Sequence, residues 1–218
     1  LRWNHIFSPK LFCNVTLLDS YYDYFLMAEE SSANSVEWES KLHDFGGKVD
    51  FIWYLDPAHT LDFGGLSIYH KIKPGLAQGK GSESLFNRIE MPVSNTLEHA
   101  LYLSHDYKVA NWLDIKYGVR LSAFQNMGAT TQYYYDADHQ LRETKKYGRG
   151  DVYHTYYRFE PRLSSSFILN PSTSIKAGYS RTTQYLHQAT TSTSGYPLDV
   201  WFASSPNVKP QVSDQVSV

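Results

Sequence analysis

The spacing of the connections constrains this chain more than any other feature. Stretches of alternating apolar and polar residues are joined by links that are short, then long, in strict turn. Ser8-Pro9-Lys10, Asp56-Pro57-Ala58-His59, Val109-Ala110-Asn111 and Asn170-Pro171-Ser172 are short; the stretches 24–35, 74–96, 126–154 and 184–210 are long. In an up-and-down sheet every second connection lies on the same side. The short turns therefore gather at one end of the strands and the long links at the other.

The clearest strand covers 112–125. Leu113, Ile115, Tyr117, Val119, Leu121 and Ala123 fall on one face; Asp114, Lys116, Gly118, Arg120 and Ser122 fall on the other, with Phe124 the one breach. A helix would mix the two sets, so a period of two is a strand. Its length exceeds the roughly 5–6 residues usual in soluble proteins and suits a tilted membrane strand of about 9–11 residues with an extension beyond the bilayer. Tyr157, Phe159, Leu163, Phe167 and Leu169 oppose Arg158, Glu160, Arg162, Ser164 and Ser166 in the same way. So do Ile175, Ala177 and Tyr179 against Lys176, Gly178 and Ser180, Leu11 to Leu17, and Val49 to Leu55. With 1–6, 59–73, 97–108 and a run from Gln211, the pattern predicts about nine strands. Pro161 interrupts one of them and marks a bulge or the upper edge of the sheet. The repeated Asp-Phe-Gly-Gly at 44–47 and 62–65 suggests bends or close backbone approach.

Alternation alone also fits a soluble sandwich. Strand length, the asymmetry of the links and aromatics near strand ends (Trp3, Trp53, Tyr54, Trp112, Tyr21, Tyr22, Tyr24, Phe25, Tyr156 and Tyr157) favour a transmembrane antiparallel up-and-down β-barrel, with short periplasmic turns, long extracellular loops and aromatic girdles. The longest apolar run, Phe51-Ile52-Trp53-Tyr54-Leu55, is far below the roughly 20 residues of a spanning helix. A barrel needs no such run, because only alternate residues meet lipid. The net charge of −2 gives no footprint for nucleic acid. Cys13 is the single cysteine, so no internal disulfide forms. The first residues already read as a strand and the last as another, so a piece of a longer protein is expected.

No residue pattern in the chain points to catalysis. Nine histidines form no HExxH and no close pair on one face, and no metal or cofactor is expected. No nucleophile elbow, P-loop or dinucleotide fingerprint appears, and no catalytic residue is named. Gly79-Lys80-Gly81-Ser82 reads as linker, and Asp136-Ala137-Asp138-His139-Gln140 as a hairpin tip rather than a calcium loop. The candidate ligand contacts are Tyr133, Tyr134, Tyr135, Tyr185, His187, Trp201 and Phe202, with Tyr196, in links that face outside. The alternative is that these side chains pack the loops onto one another. Lys116, Arg120, Arg158, Glu160, Arg162 and Lys176 are expected to line a polar lumen, pairing with each other or with a plug, the plug being favoured. From this facing, arginine at Val119 should damage assembly and arginine at Ser122 should be mild.

The run Glu160-Pro161-Arg162-Leu163-Ser164 through Leu169-Asn170-Pro171-Ser172-Thr173-Ser174-Ile175-Lys176-Ala177-Gly178-Tyr179-Ser180-Arg181 resembles the barrel of TonB-dependent outer-membrane receptors, most strongly those of Bacteroidetes-type bacteria. Tyr185-Leu186-His187, Pro197-Leu198-Asp199-Val200-Trp201, Asn207-Val208-Lys209-Pro210-Gln211 and Asp214-Gln215-Val216 continue the likeness, and Glu98 to Leu103 and Tyr117 to Leu121 look like preceding strands. The resemblance implies a barrel of about 22 strands with a plugged lumen, a bacterial outer-membrane location, and import of a nutrient (glycan, peptide, iron chelate or cobalamin). Its implied partners are outer-membrane lipid, the TonB complex through a plug and TonB box absent from this chain, and a surface lipoprotein. On this reading residues 1–218 are a segment of the barrel. The rivals are a passive porin or adhesin barrel, and a soluble β-sandwich binding module.

Overall fold

The computed structural model describes residues 1–29, 35–80, 85, 87–190 and 199–218. All of its regular structure is β. Nine strands lie side by side in one antiparallel sheet in the order β1 (Arg2–Ser8), β2 (Leu11–Glu29), β3 (Ser35–Asp56), β4 (His59–Gly79), β6 (Ser94–Ala110), β7 (Leu113–Met127), β10 (Val152–Asn170), β11 (Thr173–Gln184) and β14 (Gln211–Ser217). The short β5 (Ile89–Glu90) pairs with β4. Two ribbons stand apart from this sheet: β8 (Thr130–Tyr135) with β9 (Leu141–Tyr147), and β12 (Leu186–Thr190) with β13 (Asp199–Ala203). Among the described residues β1 and β14 are the sheet's two edges and do not pair with each other.

The short turns fall where the spacing predicts them. Pro9-Lys10, Pro57-Ala58, Asn111-Trp112 and Pro171-Ser172 each separate two strands. Three are pinned by the last side chain before the turn. Ser8 Oγ accepts from the Lys10 amide at 3.2 Å, Asp56 Oδ1 from Ala58 at 2.8 Å and Asn170 Oδ1 from Ser172 at 3.0 Å. Short oxygen-bearing side chains hold their own backbone in this way, which fixes the turn and hence the register.

The long links differ from expectation: each carries strand among its described residues. β2 runs to Glu29 and β3 begins at Ser35, so much of 24–35 continues the ladder, as Tyr24↔Ser40 and Met27↔Glu37 show. β4 continues to Gly79, and the other two long links carry the separate ribbons. Aromatic and branched residues at alternate positions suit a pleated surface wherever they occur. Asp136 to Gln140 is the hairpin tip expected, with Asp136 Oδ1 accepting from the Asp138 and Gln140 amides.

Register settles the two faces. Val49↔Gly65↔Leu101↔Leu121↔Phe159 is one cross-strand row; Lys48↔Leu66↔Ala100↔Ser122↔Arg158 is the next, on the opposite face. The first face is apolar and uncovered: Leu101 is 69% exposed, Leu121 52% and Phe159 59%. The second carries the polar residues, and its upper half is covered by the β12–β13 ribbon. Phe124 belongs to the covered face, where with Leu42, Ile72, Tyr185 and Ala203 it forms the main apolar cluster. The breach in the alternation is therefore a core residue beneath that ribbon.

Pro161 stands opposite Val119 and just beyond the last β10–β11 pair, Arg162↔Ser180. The missing amide costs no bond to β11 there. Gly64 shows why a glycine is needed in the repeated motif. The ring of Tyr102 crosses the space its Cβ would fill and reaches Asp50.

Candidate functional site

The covered face holds a continuous chain of polar contacts built by five strands and the link before β12. Asp44 on β3 meets His70 Nδ1 on β4 at 2.7 Å, and His70 Nε2 lies 3.8 Å from Glu98 on β6. Arg120 on β7 donates to Glu98 at 2.6 Å and to both oxygens of Glu160 on β10 at 3.0 and 3.2 Å. Ser122 donates to Glu160 at 2.8 Å and lies 2.7 Å from the Tyr185 hydroxyl. With its one proton given to Glu160, Ser122 accepts from Tyr185. Glu160 is 1% exposed, so its charge is held entirely by these partners.

The ribbon crosses this face from β2 to β10. At one side the Tyr22 hydroxyl approaches Asp199 Oδ2 at 3.3 Å and its ring meets Trp201 edge-on, while Trp38 Nε1 donates to the Asp199 carbonyl at 3.4 Å. At the other side Asn126 Nδ2 donates to the Ser204 carbonyl at 2.7 Å and the Tyr156 hydroxyl to that of Ser205 at 2.8 Å. Within the ribbon, His187 Nε2 meets Ser204 Oγ at 3.0 Å, and burial lowers the imidazole pKa below its usual value.

The candidate ligand contacts therefore divide. Tyr185, His187, Trp201 and Phe202 pack the ribbon onto the sheet and onto itself: Tyr185 is 3% exposed and His187 5%, and Phe202 lies 5.3 Å from the His187 ring. Burial pushes the Tyr185 hydroxyl pKa up. Tyr133 and Tyr135 are exposed on β8. Tyr134 bonds the Tyr147 hydroxyl at 2.9 Å, and burial with that bond raises its pKa to about 12. Tyr196, like Gly81 and Ser82, lies outside the described residues.

The expected lumen residues share the polar face by register, and the central ones meet charges on the sheet itself. Arg120 and Glu160 pair with each other, and Lys116 reaches Asp62 at 3.0 Å. Arg120 and Glu160 stand on neighbouring strands, whereas Lys116 on β7 reaches past β6 to Asp62 on β4. Arg158 lies over the Tyr156 ring and donates to the Tyr157 carbonyl. Arg162 and Lys176 stay exposed, with no ion pair among the described residues. Below the ribbon the face opens into a cleft of about 660 Å³ lined by Lys48, Tyr102, Lys116, Arg120 and Arg162. Ser122, where arginine is expected to be mild, is instead 4% exposed and bonded on both sides. Sequence reasoning placed it on the right face and missed the ribbon above it.

Asp44, His70, Thr96 and Asn126 were not singled out from the sequence. They lie far apart along the chain, and only the register brings them together. No group of three or more His, Cys, Asp or Glu among the described residues is arranged to hold a metal ion. No helix is long and apolar enough to cross a membrane, which leaves strands untouched.

No family model matches this chain, and no curated protein matches it. Among solved structures, a double mutant of the Serratia marcescens hemophore receptor HasR in complex with its hemophore HasA and heme aligns with a TM-score of 0.43 and 15% identity. The alignment covers 95% of this chain and 36% of the receptor chain, so this chain spans about a third of that receptor. At this level of likeness, what HasR binds is a statement about HasR alone.

Proposed function

We propose that this chain is a nine-strand stretch of the wall of an outer-membrane barrel of the TonB-dependent receptor type, taking part in nutrient uptake by binding and passage, without catalysis. The observation that carries this reading is the contrast between the two faces. One face presents Leu101, Leu103, Leu121, Tyr157, Phe159 and Leu163 uncovered, each at least half exposed, while the other buries charged groups. An apolar band of this extent on a protein in water is a liability; against hydrocarbon it is the stable arrangement, and the inward face stays polar. The short turns at one end, the ribbons at the other and the residues carrying the family resemblance support the same reading. In it, β1 and β14 meet further strands of the wall, and energy coupling belongs to a plug region that these residues do not supply.

Membrane association tests the proposal directly. The full-length protein should remain in the membrane fraction through a high-pH carbonate wash and need detergent for extraction. Recovery as a dispersed species in detergent-free buffer would overturn it. Within the membrane, a fluorophore at position 101 should be quenched by brominated acyl chains and one at position 116 should not.

A further inference from the structure

On the uncovered face, β3 and β4 bring like charges together at the ribbon end. Leu42 and Ile72 lie in the apolar cluster under the ribbon, so alternation turns Lys41, His43, Lys71 and Lys73 to the opposite face. In register Lys41 stands across from Lys73, and His43 across from Lys71. Like charges directly opposite one another destabilise a sheet unless an anion answers them. Part of the charge is answered within the sheet. Lys41 meets Glu39 and, at 3.6 Å, Asp23, while His43 meets Asp19 at 2.7 Å. Lys71 and Lys73 are exposed, and among the described residues neither ammonium group has an ion pair or hydrogen bond. On the β6 side Lys71 faces Asn95, whose Oδ1 already accepts from the Tyr69 hydroxyl at 2.7 Å.

β4 leaves its short turn at His59 and carries Leu61, Phe63 and Tyr69 on the uncovered face before it reaches Lys71. At about 3.3 Å of rise per residue and a tilt of about 40°, the climb from His59 to Lys71 is roughly 30 Å. An apolar band of about 25 Å ends below that level, so the two ammonium groups stand where hydrocarbon gives way to headgroups. Just beneath them the same face is recessed into a groove of about 650 Å³, lined by Gly47, Gly65, Ser67, His99, Leu121 and Tyr157. Ser67 and His99 face each other across β4 and β6. Among the described residues their side chains have no hydrogen-bond partner. Gly47 and Gly65 close the two copies of the Asp-Phe-Gly-Gly motif. A Cβ at Gly47 would meet only ordinary contacts, the nearest with Leu17 at 3.5 Å. The strand therefore does not require glycine there, whereas a larger side chain would fill the groove.

Cations at the top, hydrogen-bonding groups below them and an apolar recess lower still match the three tiers of a lipid with an anionic, phosphorylated headgroup. Lysine ammonium groups at a membrane surface attract such headgroups, and a phosphate accepts several charge-assisted bonds at once. We propose that β3, β4 and β6 hold one such lipid on their uncovered face, with its phosphate between Lys71 and Lys73. The polar root of its chains lies at Ser67 and His99, and one chain fills the groove over Gly47 and Gly65. This site rests on the membrane-wall reading and adds to it a bound lipid on the face away from the cleft.

Native mass spectrometry of the full-length protein in detergent tests the site, with titrations of dioleoyl phosphatidic acid and, separately, of zwitterionic dioleoyl phosphatidylcholine. The wild type should retain phosphatidic acid at least about tenfold more tightly. Lys71→Gln with Lys73→Gln should remove that preference, whereas Lys209→Gln, at an exposed lysine away from the patch, should keep it. Gly47→Leu keeps both charges and should weaken retention of phosphatidic acid about three- to tenfold. Equal retention of the two lipids by the wild type, or an undiminished preference in the double lysine variant, would overturn the proposal. So would displacement of phosphatidic acid by an equal concentration of inorganic phosphate, which would mark a site for free anions. Cross-linking of two copies through Lys71 in place of retained lipid would mark a subunit interface and overturn it too. Both lysines are exposed, so their variants keep the fold and carry the test should Gly47→Leu fold poorly. A protein that resists the carbonate wash yet shows no preference loses only the lipid site; one released by the wash loses the membrane reading as well.

Discussion

Phe124 lies flat against Tyr185, with ring centroids 4.6 Å apart and planes 3° from parallel, so the strand residue that breaks the alternation is the one onto which the ribbon's entry is stacked. Tyr185 then reaches past the ring to Ser122. One side chain thus ties the ribbon to both the apolar cluster and the charge chain.

Removing that tie in two steps separates its parts. Tyr185→Phe keeps the stack and loses the bond to Ser122, and should cost about 0.5–1.5 kcal/mol. Tyr185→Ala loses the buried ring as well and should cost about 3–5 kcal/mol. Urea midpoints of the full-length protein in detergent check the order; equal losses would mean that the hydroxyl alone anchors the ribbon.

Arg120 sits between two carboxylates, at 2.6 Å from Glu98 and 3.0 Å from Glu160. Arg120→Met leaves Glu160 buried without its cation and should cost about 3–5 kcal/mol. The double variant Arg120→Met with Glu160→Gln removes the stranded charge and should recover part of that loss. A double variant as damaged as the sum of the singles would contradict coupling through this pair.

The facing assignment is tested at Leu121 and Ser164. Leu121→Arg places a charge on the uncovered apolar face and should cost about 2–4 kcal/mol if that residue lies at the bilayer midplane. Ser164 is exposed on the polar face, in a row with Lys116, and Ser164→Arg should be mild. Folded yield in detergent compares them, and similar yields would contradict the facing.

His187 gives the ribbon a dependence on pH. Burial lowers its pKa below the usual 6.5, so the docked ribbon holds the imidazole neutral while the released ribbon takes up a proton near its ordinary value. Docking is therefore strongest above about pH 6.5 and weakens as pH falls below it. Amide hydrogen exchange of the ribbon, corrected for the intrinsic pH dependence, should accelerate from pH 7 toward pH 5 relative to β7, about neutral to mildly acid. His187→Gln should flatten that trend.

The sheet was legible in the sequence because its signal is local. A period of two in 112–125 identifies β7, Asp56 and Asn170 announce their turns, and the face of Arg120 and Glu160 follows from alternation. The ribbon's position was not legible. Nothing near Tyr185 states that it stacks on Phe124, some sixty residues earlier, and nothing near Asp44 states that it meets His70. Those relations come from register, which links residues of one row only after every intervening turn is fixed. The long links misled for a related reason. Turn residues such as Ser and Asn read as breaks, yet 24–29 pairs with β3 as readily as the segment before it.

The unequal strand lengths shape how anything would come near the cleft. β3 has 22 residues and β4 has 21, whereas β11 has 12. At about 3.3 Å of rise per residue, the palisade stands tens of ångströms taller on its β3–β4 flank. The rim at the ribbon end therefore steps down from β3 and β4 toward β11, which gives out into Tyr185.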